Sequence, residues 1–236
     1  MKTIIHRAAD RGTTEIDWLH SRHSFSFGGY YDPSRIHFGM LRVLNDDIVD
    51  PGKGFDTHPH QDMEIVTIPL SGILQHTDST GNFSLISPGE VQVMTAGTGI
   101  FHSEYNHSLT DNVCFLQIWV FPDKKGLTPR YDQLLFAPEL FQNQLHMVVS
   151  PSGNSGCLLV HQDAYFYLGN FTEEKNITYE FHNPNNGIYL FMIEGNAVCE
   201  DITLGKRDAI GISDVNEISI KIEQNSRILL IEVQVS

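Results

Sequence analysis

Short runs of β-branched and aromatic residues, punctuated by Gly, Pro, Asn and Asp, recur along the chain, whereas long stretches with the spacing of an amphipathic helix are scarce. The pattern predicts an all-β protein. One set of strands is expected at Met40 to Leu44, Glu64 to Leu70, Ile73 to Thr77, Val91 to Thr95 and Phe115 to Phe121. A second is expected at Ala164 to Leu168, Ile188 to Ile193, Ala197 to Glu200, Ile218 to Ile222 and Ile228 to Val233. Between them, PDKKGLTPRYDQLLFAPELFQNQ is richer in Pro and charge and reads as a connector, with a short helix expected near Tyr131 to Phe136. Two domains follow, residues 1–125 and 126–236.

The halves echo each other. IPLSGILQHTDS and FMIEGNAVCEDI share a strand, Gly turn, strand form, a weak internal repeat. At 236 residues, 41% hydrophobic and 19% charged, the chain can support a core in each half. Net charge is −14, and the densest bases, Lys124-Lys125 and Lys206-Arg207, make no basic face, so direct nucleic-acid binding is not expected. Protein partners remain open. Cys114, Cys157 and Cys199 lie far apart without CxxC spacing, which fits free thiols in a reducing compartment. With no apolar leader and no run of membrane-spanning length, the expectation is a cytoplasmic protein with no membrane partner.

Candidate chemistry is confined to the first half. His58-Pro59-His60 is followed about forty residues on by His102-Ser103-Glu104. On a strand, side chains at i and i+2 share a face, so each cluster can aim two donors at one point, and two such pairs on facing strands would close a His₃Glu site. No thiolate lies near, which favours a borderline divalent ion over a Cys-type structural zinc site. Four protein donors leave two positions of an octahedral ion open, as metal catalysis requires. Gly52, Gly54, Gly89, Gly97 and Gly99 flank the clusters and permit close backbone approach. In the second half, His146, His161 and His182 are isolated, so that half is expected to hold no metal.

Gly52, His58-Pro59-His60 and Glu64 resemble the first cupin motif, and Gly89 through Gly97 to His102 and Asn106 the second. The chain is identified more closely as similar to the pirins, a branch of the bicupins. HSFSFGGYYDP, FGMLRVLNDD, PGKGFDTHPHQDMEIVT, GEVQVMTAGTGIFHSE and LQIWVFP occur in pirin order over most of residues 20 to 121. The second half is similar only in outline, through QDAYFYLG and IYLFMIEGNAV. The resemblance implies two stacked jelly-roll β-barrels with few short helices, an N-terminal metal-binding cupin and a degenerate C-terminal one. It implies one divalent transition metal, iron first and Cu, Mn, Co, Ni or Zn as alternatives, held by His58, His60, His102 and Glu104. It also implies either of two roles. One is a quercetin 2,3-dioxygenase, opening a flavonol with O₂ and releasing carbon monoxide; the other is a metal- or redox-responsive regulator acting through protein partners. Val93 departs from the pirin pattern, which usually carries Trp, and bears on packing or pocket width near the metal.

For the enzyme role, a flavonol's 3-hydroxyl and 4-carbonyl form a chelating oxygen pair, and Glu104 is the expected general base. Glu64 has two readings, a partner orienting a ligand imidazole or a strand residue facing solvent. Gln117 and His76 should face inward as polar lining, and Phe55, Phe101 and Met94 are expected in the core or on apolar pocket walls.

Overall fold

The computed structural model describes residues 1–154 and 156–235, and it is built from strands with two short 3₁₀ turns, Ala8–Asp10 and Pro138–Phe141. Four sheets pair into two sandwiches. In the first half a seven-stranded sheet runs in the spatial order Arg130–Leu135, Glu90–Thr95, Glu64–Ser71, Val113–Val120, Leu41–Val49, Leu19–His23, Gly12–Ile16. It faces a four-stranded sheet ordered Gly54–His60, Ile100–Asn106, Leu74–Asp78, Phe83–Ile86. The second half repeats the plan, with seven strands around Asn186–Glu194 and Ser226–Gln234, and four around Glu217–Ile222.

The run Asn186–Glu194 shows why the halves stack. All but its last residue are buried. Successive side chains point to opposite faces, so a strand apolar throughout must be covered on both. Ile188, Leu190 and Met192 fill the second barrel, while Tyr189, Phe191 and Ile193 join a cluster with Val66, Ile68, Leu116 and Ile118 of the first half. The broad sheets therefore lie back to back, with the largest core between them. Val93 is fully buried in that shared core, on the face away from the barrel interior. The departure at this position is thus absorbed where the halves meet, on the face of the sheet away from the candidate donors.

Two strands cross the division at residue 125. Arg130–Leu135, where a helix is expected, is an edge strand completing the first half's sheet against Glu90–Thr95. Its RYDQLL pattern lacks a helical apolar stripe, and the open backbone edge beside it is satisfied by strand pairing. Conversely, Lys2–His6 leaves the first half and pairs with Ala209–Ser213 of the second. Further ties between the halves include Arg207, whose Nε lies 2.8 Å from Asp46.

His6 ends the exchanged strand. It is 5% exposed, with Nδ1 2.8 Å from the Tyr189 hydroxyl and its ring edge-on to Phe25 and Tyr189. Burial, reinforced by nearby Arg35 and Arg11, lowers its pKa to about 4. The unfolded chain takes up a proton near pH 6.5 that the folded chain refuses until about pH 4. This contribution to stability is therefore present above that window and lost as pH falls through it, by roughly 3 kcal/mol at the acid end. In urea titrations between pH 7 and pH 4.5, His6→Phe should lose less stability than wild type. Equal losses would exclude His6 as the source.

Candidate metal centre and its pocket

The two histidine clusters occupy neighbouring strands of one sheet, not facing strands. His102 lies directly opposite His58 on one side and Asp78 on the other. An irregularity in register follows, so that Glu104 pairs with Phe55 and His76. Two glycines let the backbone come this close. A Cβ at Gly54 would stand 2.2 Å from the Glu104 carbonyl oxygen, and at Gly97, with φ +49°, it would stand 1.9 Å from the Leu127 carbonyl oxygen. Pro59, which cannot donate to a ladder, sits on the edge strand where no donor is needed.

Along Ile100–Asn106 burial alternates, with Ile100, His102, Glu104 and Asn106 inside. Phe101 lies on the other face, 54% exposed, and so belongs neither to the core nor to the pocket. Donor atoms of His58, His60 and His102 fall within 4.8 Å of one another, and so do those of His76, His102 and Glu104. Among the described residues these are the donor groups close enough to share an ion, and His102 belongs to both.

The donor chemistry fits a cation. His58 Nδ1–H donates to the Asp56 carbonyl at 2.7 Å, leaving Nε2 as a lone pair 3.0 Å from His102 Nε2. Two nitrogens bound at right angles to an ion, each about 2.1 Å from it, stand about 3 Å apart. His60 Nε2 and Glu104 Oε1 are buried without any protein partner, an arrangement costly unless something else satisfies them. Burial first, then the adjacent imidazoles, lowers His60 to about 4 and His102 to about 3, so both rings are neutral at neutral pH, the form that can bind a cation.

The residues behind the donors are also fixed. His76 faces inward as expected. Its Nδ1 is 3.5 Å from His102 Nδ1 and its Nε2 is 3.0 Å from Asp78 Oδ2, giving a carboxylate–imidazole–imidazole row. Burial alone would raise the Asp78 carboxyl, but hydrogen bonds from Thr80, His76 and Asn82 outweigh it and hold the group at about 2. Gln117 is inward too. Its Nε2 donates to Glu104 Oε2 at 2.7 Å, and its Oε1 accepts from the Trp119 indole at 3.3 Å, so the amide has one orientation.

Glu64 does neither thing expected of it. It faces the other half, fully buried, where Oε2 accepts from Thr95 Oγ1 at 3.0 Å and from the His161 backbone N–H at 3.1 Å. Burial raises its pKa. The cupin-motif carboxylate is here a pin between the two halves. Met94 is core, packed with Ile65, Ala96 and Ile100.

A cavity of about 310 Å³ opens at the donors and is lined by His58, His60, Glu104, Gln117, Phe55 and Trp119 at that end. It continues to Leu19, Ser21, His23, Phe27, Asn45 and Asp47. Sequence reading misses this second group because its polar residues interrupt the alternation by which strands are recognised.

Family models match residues 5–120 as Pirin and residues 147–233 as the Quercetinase C-terminal cupin domain. Quercetin 2,3-dioxygenase of Escherichia coli K12 is 39% identical over 229 residues, 97% of each chain. The crystal structure of YhhW from Escherichia coli superposes with a TM-score of 0.95 at 37% identity, covering 100% of this chain and 99% of that one. A second structure, bacterial pirin YhhW in complex with nickel(II), gives a TM-score of 0.94 at 37% identity over 100% of both chains.

Proposed function

Because this chain belongs to the pirin family of bicupins, we propose that it is a metal-dependent flavonol 2,3-dioxygenase with His58, His60, His102 and Glu104 as the ligands of one divalent transition ion. The observation that carries the ligand assignment is the pair of buried, unpartnered donor atoms, His60 Nε2 and Glu104 Oε1, beside two imidazole nitrogens already spaced for one ion. The nickel(II) complex of the similar YhhW supports a divalent ion of this class. Availability decides which ion fills such a set, with iron the first choice.

A bound ion would supply Lewis acidity toward the substrate's hydroxyl–carbonyl pair and leave open positions for it. The chain's own residues supply the rest. Glu104 accepts the proton of the 3-hydroxyl, and Gln117, fixed by Trp119, keeps the carboxylate aimed as its charge changes. Phe55, Trp119, Phe27 and Leu19 wall the cavity and keep water from the electron-rich anion. In the overall reaction both atoms of O₂ enter the ring-opened ester and the carbon bearing the 3-hydroxyl leaves as carbon monoxide. The decisive experiment loads the chain separately with Fe, Mn, Co, Ni and Cu and follows O₂ uptake and carbon monoxide release with several flavonols. No consumption with any ion would sink the enzyme reading and favour a regulatory protein.

The Asp78–His76 row supports His102 as a ligand by accepting its Nδ1–H. Asp78→Asn should weaken metal binding by roughly 10- to 100-fold. Competition with a chromophoric chelator measures this directly, and unchanged affinity would remove the row from the site's design.

A further inference from the structure

Asp47 is a buried acid that the chemistry above does not use. The strand Leu41–Val49 turns adjacent aspartates to opposite faces. Asp46 points to the interface, where Arg207 and Arg11 approach it, while Asp47 lines the same cavity as the metal donors. Ser21, directly opposite on the next strand, donates its hydroxyl to Asp47 Oδ1. One rung along, His23 Nδ1 is 2.8 Å from Asn45 Oδ1 and its Nε2 is 2.8 Å from Thr14 Oγ1, so the ring is held at both nitrogens. Burial lowers the His23 pKa, leaving a neutral ring.

These groups stand apart from the metal donors by a known amount. Asn45 pairs with Gln117, which holds Glu104, and His23 lies one strand further still. Strands are spaced about 4.8 Å apart, so Asn45 and Asp47 are about 5 Å, and Ser21 and His23 about 10 Å, across the sheet from the Gln117 strand. Between the two polar ends the walls are Phe27, Phe55, Leu19 and Trp119. A carboxyl buried in such a cavity is expensive unless its remaining lone pair or proton finds a partner. Burial, opposed by the Ser21 hydrogen bond, pushes Asp47 up to about 7, which lets the group either donate or accept near neutrality.

Resting on the dioxygenase reading, we propose that Ser21 and Asp47, braced by His23 and Asn45, form a second recognition point for a phenolic hydroxyl remote from the metal-bound end of the substrate. The preferred substrates are then planar aromatics with an oxygen chelate at one end and a free phenol at the other. A phenol both donates and accepts, matching the carboxyl in either state. An anionic group would be repelled by Glu104 and Asp47, and an ammonium would shed its water against Phe27 and Trp119 at high cost.

The test compares two flavonols, quercetin and 3-hydroxyflavone, which share the 3-hydroxyl–4-carbonyl pair and differ in the phenolic hydroxyls of the other two rings. Dissociation constants come from tryptophan quenching with metal-loaded and metal-free chain, and KM and kcat from O₂ uptake. Wild type should prefer quercetin by 10-fold or more in Kd and KM. Asp47→Asn and Ser21→Ala, checked for unchanged metal content and melting temperature, should each cut that preference at least several-fold, with the change falling on KM more than on kcat. Equal affinity of wild type for the two flavonols, or a preference kept in both variants, overturns the proposal while turnover leaves the dioxygenase reading standing. Selective binding without turnover does the reverse. Binding of neither flavonol overturns both.

Discussion

Glu104→Gln should retain much of the bound metal and lose turnover by roughly 10²- to 10⁴-fold. The introduced amide has the carboxylate's shape and still offers one oxygen to an ion, but that oxygen is far too weakly basic to take the substrate's proton. Gln117 presents its Nε2–H to one oxygen of residue 104 because Trp119 occupies its other end, so in the variant a single amide oxygen serves both Gln117 and the ion, and some metal affinity is lost with the second oxygen. Metal content by elemental analysis, set against carbon monoxide release, separates the two effects. Wild-type turnover in the variant would end the case for Glu104 as base, and parallel loss of metal and activity would leave it a ligand only.

His102→Ala should abolish stoichiometric metal and with it all flavonol turnover. His102 is the residue common to both sets of converging donors, and it lies between His58 and Asp78 in register, so no neighbour can take its place. His58→Ala should act in the same direction. Neither change should unfold the chain, because the interface core and the second barrel lie outside the site. Full metal retention in both variants, measured after desalting, would refute the ligand assignment.

What the sequence discloses here follows from which faces are buried. Strands covered by apolar neighbours on both sides, such as Glu64–Ser71 and Asn186–Glu194, are long hydrophobic runs and are recognised at once. Leu41–Val49 is recognised only to Leu44, since Asn45 and Asp47 then turn polar groups into the cavity. Leu19–His23 goes unrecognised for the same reason, with Ser21 and His23 buried. The convergence of the candidate donors is legible because paired residues two apart on a strand carry their geometry in their spacing. The pocket's other end has no such spacing: its members come from three strands and converge only through register. Glu64 shows the opposite hazard. It stands at a motif position, yet its parity with Val66 and Ile68 turns it toward the other half.

The exchanged N-terminal strand sets an order of events during synthesis. Lys2–His6 is made well before its partner, Ala209–Ser213, and until that partner appears the five-residue strand waits unpaired. Contacts spanning nearly the whole chain slow folding, and an uncovered edge invites pairing with another chain. Separating the halves at the connector would therefore leave each fragment with a strand that belongs to the other, and coexpressed fragments should recover a folded complex where either alone aggregates.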